Sequence, residues 1–153
     1  MPPVPAPTPL AILAIDDSPA HISFLRRVLD RHGLLYTLQS IADGTQALHF
    51  FDQLAQHAHV ACPDLLLLDL HLPGPHGTEL LQRFKAIPRC AGITVIIVSA
   101  SVEPTDRTET LALGADAFFQ KPFRFAQYME LGHLIKQLVF SGAEGRGTRE
   151  PSP

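Results

Sequence analysis

Leu65-Leu66-Leu67-Leu68-Asp69 carries the strongest architectural signal in the chain. Four leucines in a row suit a strand buried on both faces, because a half-exposed strand alternates apolar with polar residues. The run ends in a carboxylate. Beyond it, Leu70-His71-Leu72-Pro73-Gly74-Pro75-His76-Gly77 carries enough proline and glycine to force an irregular loop. Strands buried on both faces belong to parallel sheets, which present reactive groups at their C-terminal tips. Asp69 can equally cap the loop or the following helix, since Asp is a common loop starter.

The flanking segments repeat the pattern. Upstream, Leu10-Ala11-Ile12-Leu13-Ala14-Ile15 is an apolar run ended by Asp16-Asp17, a first strand. Ser18-Pro19 then signals a helix start, with Ser as N-cap and Pro in the first turn. Ile22, Leu25, Val28 and Leu29 give that helix its apolar face, and Gly33 closes it. A second strand spans Leu34 to Ile41, and Asp43-Gly44-Thr45-Gln46 resembles a capping box before a second helix. A loose connection, Gln56 to Pro63, leads into the leucine strand.

Downstream, Leu80, Leu81, Phe84 and Ile87 mark a helix ended by Pro88. Ile93-Thr94-Val95-Ile96-Ile97-Val98 is a β-branched strand ending at Ser99-Ala100-Ser101. A weaker helix runs from Glu103 to Leu113, and Ala115 to Gln120 is a short fifth strand ending at Lys121-Pro122. The last helix covers Phe125 to Phe140. Alternating strands and helices predict an α/β, doubly wound, five-stranded parallel sheet with helices on both faces. In the flavodoxin-like order 2-1-3-4-5, ligands bind at the switch point between strands 1 and 3.

The sequence predicts one domain over residues 10–140, between a disordered Pro-rich tail at 1–9 and a disordered tail at 141–153. A formal charge of -3 gives no general attraction for nucleic acid or anionic membrane. No apolar run approaches membrane-spanning length, and the N-terminus does not read as a secretion signal. Cys62 and Cys90 lack CxxC spacing, and the expectation is two ordinary thiols in a reduced cytoplasmic setting. His57 and His59 lack a third ligand and read as surface residues.

The predicted topology brings Asp16, Asp17, Asp69, Ser99 and Lys121 to one edge of the sheet. Three carboxylates in one crevice repel one another unless a cation sits among them, and an all-oxygen site suits Mg²⁺. One carboxylate can then attack a phosphorus, with Lys121 and the Ser99 hydroxyl directed at the transferred group. Each residue alone has a bland reading: a helix start for Asp16-Asp17, a structural Ser99, a solvated turn for Lys121. Their joint placement on strand ends favours phosphoryl transfer to Asp69.

Ile15-Asp16-Asp17-Ser18, Leu68-Asp69-Leu70-His71-Leu72-Pro73, Val98-Ser99-Ala100 and Gly114 through Phe123 together resemble the CheY-like receiver domain of response regulators. The resemblance implies that Asp69 is the phosphoacceptor, and that Asp16, Asp17 and Asp69 bind Mg²⁺ with the backbone carbonyl of His71. It implies that Ser99 and Lys121 hold the phosphoryl group and that Lys121-Pro122 is a cis peptide. It makes Phe118 a switch aromatic that follows Ser99, with Phe119 the better core residue. His71 and the Gly74-Pro75-His76 segment depart from the family's usual loop, and an imidazole there is expected to alter water access to the phosphoryl group.

The implied partners are a sensor histidine kinase, as in the similar regulators of bacterial phytochromes, and an unidentified downstream protein. No output domain is expected, so signalling would go by protein contact or phosphorelay. Tyr128, Leu131, Leu134, Ile135, Leu138 and Val139 span more than one face of the last helix, as either a thick core stripe or a homodimer surface. Two competing readings are a degenerate receiver that binds partners without phosphorylation and a haloacid-dehalogenase-type phosphatase. The second would normally carry an Asp where this chain has His71.

Overall fold

The computed structural model describes residues 2–140. Its elements are β1 (Leu10–Ile15), α1 (Pro19–Arg31), β2 (Tyr36–Ile41), α2 (Gly44–Gln56), β3 (Leu65–Leu68), α3 (Gly77–Lys85), β4 (Thr94–Ser99), α4 (Pro104–Ala112), β5 (Ala117–Gln120) and α5 (Phe125–Ile135). A 3₁₀ turn, Pro88–Cys90, precedes β4, and α5 continues through a π-helical turn, Lys136–Phe140. All pairings are parallel, in the order β2-β1-β3-β4-β5.

Local chemistry sets the helix ends. The Ser18 hydroxyl accepts from the His21 amide at the start of α1, and Asp43 accepts from the Gln46 amide at the start of α2. Gly33 ends α1 with φ +66°, a left-handed conformation that costs glycine nothing. Two exposed aspartates tie strand entrances together. Asp64 Oδ2 accepts from the Ala11 amide, and Asp116 Oδ2 accepts from the Val95 amide, each at 2.8 Å.

Alternation along the strands separates two cores. Leu13, Ile15, Leu66, Leu68, Val95, Ile97 and Phe118 face α2 and α3, where they meet Phe51, Leu54, Leu80, Leu81 and Phe84. Ile12, Ala14, Leu65, Leu67, Ile96 and Val98 face α1 and α5, where they meet Leu25, Leu29, Leu131 and Ile135. Leu134, Leu138 and Val139 pack partly buried against this second core, so the apolar surplus of the last helix covers the sheet.

Three expectations need correction. Cys62 and Cys90 are joined as a disulfide, with a Cα–Cα distance of 5.8 Å. They lie just before β3 and β4, which are parallel neighbours, so the topology places their entrances side by side. No peptide bond among the described residues is cis. Lys121-Pro122 is therefore trans, the form that X–Pro bonds favour by about 0.5–1 kcal/mol, and Lys121 still reaches the carboxylates. Phe118, not Phe119, is the more buried aromatic of β5. Parity turns Phe118 to the α2/α3 core, while Phe119 lies on the other face against Tyr128.

Candidate functional site

The strand tips converge at the C-terminal edge of the sheet. Asp16 and Asp17 follow β1, Asp69 follows β3, Ser99 ends β4 and Lys121 follows β5. Asp69, Ser99 and Lys121 are buried, Asp16 is half-buried and Asp17 is exposed. Carboxylate oxygens of Asp16, Asp17 and Asp69 all lie within 4.8 Å of one another.

Continued alternation sorts these side chains by face. Asp16 follows Ile12 and Ala14, Asp69 follows Leu65 and Leu67, and Lys121 follows Ala117 and Phe119, all on the α1/α5 side. These three meet directly. Lys121 Nζ lies 2.8 Å from Asp16 Oδ2 and 2.9 Å from Asp69 Oδ2. An ammonium this deeply buried needs opposite charge at contact distance, and two carboxylates supply it. With Leu25, Tyr128 and Leu131 they line a cavity of about 20 Å³. Burial first, then the negative charges of Asp16 and Asp69, push the Tyr128 phenol above its ordinary range.

Ser99 has the opposite parity, the same as Ile97 and Phe118. Its hydroxyl accepts from the Ser101 amide at 3.2 Å, and the Ser101 hydroxyl donates to Asp106 Oδ2 in the first turn of α4. Asp106 in turn lies 3.9 Å from His71 Nε2, while the His71 amide donates to Asp69 Oδ1 at 3.2 Å. A chain of contacts thus returns from Ser99 to Asp69. The exposed His71 imidazole faces Asp106 and the His76 ring. Arg107 places its guanidinium 5.4 Å from the centre of the Phe118 ring.

Asp69 does cap the loop, through its bond from the His71 amide, but it also sits in an ion pair that a loop cap does not require. The loop is held close beneath it. A Cβ at Gly77 would stand 2.5 Å from Leu70 Cα and 2.8 Å from the Asp69 carbonyl oxygen, so only glycine lets α3 begin there.

Sequence reasoning missed His21, Ser101, Asp106 and Tyr128. His21 Nδ1 lies 2.7 Å from Lys121 Nζ. Its one available signal was its place three residues after the Ser18 cap, at the mouth of the β1 tip. His57 and His59 pair with each other at 5.5 Å between ring centres and lie exposed.

The response regulator receiver domain model matches residues 12–131, which contain the whole cluster. The chain belongs to the receiver-domain family. The phosphorylated cyanobacterial phytochrome response regulator RcpA is 25% identical with a TM-score of 0.77, covering 88% of this chain and 96% of that one. Rcp1 of Synechocystis is 29% identical over 113 residues, 74% of this chain and 77% of that protein. The Mn²⁺-bound structure of Rcp1 superposes with a TM-score of 0.74 at 26% identity, covering 84% of this receiver and 93% of that chain. The DNA-binding response regulator MtrA of Mycolicibacterium smegmatis is 34% identical over 113 residues, 74% of this receiver but only 44% of MtrA. The receiver spans less than half of MtrA. Membership in this family sets aside the phosphatase reading. No helix among the described residues is long and apolar enough to cross a membrane.

Proposed function

We propose that this receiver is a phosphorylation-activated response regulator that accepts a phosphoryl group on Asp69 from a sensor histidine kinase. The observation that carries the reading is the buried Lys121 ammonium held between Asp69 and Asp16 at 2.9 and 2.8 Å. A degenerate receiver that only binds partners has no need to bury a cation against an acceptor carboxylate. The similarity to RcpA, a phytochrome response regulator, supports a phytochrome-type kinase as the donor.

The donor set fits Mg²⁺. Asp16, Asp17 and Asp69 supply hard oxygens and, against one lysine, leave two negative charges in excess. The His71 backbone carbonyl would add another oxygen. Once bound, a divalent cation supplies positive charge against the phosphoryl oxygens.

The chain's own residues then account for the transfer. An Asp69 carboxylate oxygen attacks phosphorus and forms a P–O bond, while the bond to the donor nitrogen breaks and that nitrogen keeps the electron pair. Lys121 stabilises the charge on the transferred group, and the Ser99 hydroxyl, released from the Ser101 amide, donates to a phosphoryl oxygen. Phe118 shares the parity of Ser99 on the neighbouring strand, so movement of Ser99 vacates space that its ring can follow. Phosphorylation would thereby reach α4, where Asp106 and Arg107 lie. Phe123 and Val102 stand exposed on the loops after Lys121 and Ser99, where an approaching donor or target protein would meet them.

Incubation with acetyl phosphate and Mg²⁺, followed by intact mass and a phosphate-affinity gel, tests the reading. The expected result is one added phosphoryl group in the parent and none in Asp69→Asn. An unmodified parent, or equal modification of both, overturns it.

A further inference from the structure

Lys121 Nζ has three protons to give and no lone pair, so each neighbour must accept. Its three acceptors are Asp16 Oδ2 at 2.8 Å, Asp69 Oδ2 at 2.9 Å and His21 Nδ1 at 2.7 Å. The third differs in kind from the first two. An ammonium donating to Nδ1 requires the lone pair there, which places the ring proton on Nε2, and the same Nδ1 lies 3.7 Å from Asp16 Oδ2.

The position of His21 is built. Its amide donates to Ser18 Oγ at 3.3 Å, which ties it to the N-cap of α1. Its ring stands 6.3 Å from the Tyr128 ring of α5, and both line the cavity that also contains Asp16, Asp69 and Lys121. The His21 side chain is 32% exposed and that of Lys121 5% exposed.

We infer that His21 is a positioning residue for Lys121, a third acceptor that orients the ammonium toward Asp69. The inference rests on the phosphoacceptor reading above. With only Asp16 and Asp69 as partners, the ammonium is free to rotate toward whichever carboxylate attracts it more. With the imidazole as a third point, its direction is fixed. When Asp69 gains a phosphoryl group, the amine then has only to redirect one proton instead of moving its chain.

The test has two arms on the full chain. In the first, nitrogen-detected imidazole NMR of the metal-free protein at pH about 8, above the ordinary histidine range, reads the His21 tautomer. The Nε2–H form is expected, with an Nδ1 shift that changes in Lys121→Ala. An Nδ1–H form, or a spectrum indifferent to Lys121→Ala, overturns the inference. In the second arm, phosphorylation by acetyl phosphate at saturating Mg²⁺ is expected to slow about three- to ten-fold in His21→Ala, the equivalent of one lost hydrogen bond. His21→Asn, whose Oδ1 can stand where Nδ1 stood, is expected to recover most of that rate. Thermal melting of both variants separates positioning from folding. A His21→Ala rate equal to the parent, or an Asn variant as slow as the Ala variant, also overturns it. Failure of the parent to be phosphorylated is a different outcome, removing the phosphoacceptor reading and this role with it.

Discussion

The two faces of the sheet are made of the same strands and do different work. The α2/α3 face is apolar throughout its buried cluster, with Phe51 and Phe84 5.3 Å apart at its centre and the Cys62–Cys90 disulfide beside it. The α1/α5 face has apolar residues over most of its length, but toward the C-terminal tips it holds Asp16, His21, Asp69, Lys121 and Tyr128 around a small cavity. The difference follows from strand parity at the tips. One residue beyond the last apolar position (two at β5, after Gln120), the chain turns Asp16, Asp69 and Lys121 to the α1/α5 side and Ser99 to the other. Charged and titratable side chains thus gather at the tips of the α1/α5 face, while the buried cluster of the α2/α3 face is apolar. Ser99 and Phe118 lie on the apolar side of that division, from which the proposed switch would reach α4.

If the α2/α3 face holds the fold, a cavity cut into it is costly. Phe84 is fully buried against Phe51, Leu80 and Leu81 in one cluster. Phe84→Ala is expected to lower the unfolding free energy by about 3–5 kcal/mol, a large share of the about 5–15 kcal/mol typical of a domain. Urea denaturation measures it, and a loss under about 1 kcal/mol would mean that this face repacks freely. The disulfide comes next. It links residues 28 apart in sequence, and this loop contains β3, Asp69 and α3. The chain-entropy model gives about 3.5 kcal/mol of stabilisation for a loop of that size. Unfolding with and without reductant should differ by about that amount. Two free thiols in the denatured, unreduced protein would show that the link does not form.

Much of this division is legible in the residues. Apolar runs that stop at or just before Asp16, Asp69, Ser99 and Lys121 locate the tips, alternation of strands and helices implies a parallel sheet, and the flavodoxin-like order taken for it is the order observed. The missed features depend on which neighbours the topology creates. Cys62 and Cys90 carry no spacing signature that suggests a bond, yet β3 and β4 as parallel neighbours bring their entrances together. His21 looks like any polar residue in the first turn of a helix until α1 is docked beside Lys121. The assignment of Phe118 and Phe119 was open to a parity count from Lys121. The trans peptide before Pro122 had no local signal, since proline permits both forms.

The smallest expected effect concerns the polar side of the division. Tyr128 is raised by burial and by Asp16 and Asp69, and it faces His21 from α1 and Lys121 from β5 across the cavity. Its folded form therefore holds the phenolic proton more tightly than the unfolded chain does. The resulting stability is fully present below the ordinary tyrosine range and is lost as pH rises through the higher folded value. Tyr36 is also raised, by burial and then by its hydrogen bond to Asp30 on the β2 side, so the experiment belongs in a Tyr36→Phe background. There, the ultraviolet signal of tyrosinate should appear later than in the unfolded chain, and adding Tyr128→Phe should flatten the alkaline loss of stability. An unshifted titration would mean that the α1/α5 face is open to water at Tyr128, and that the polar cluster is not shielded from below.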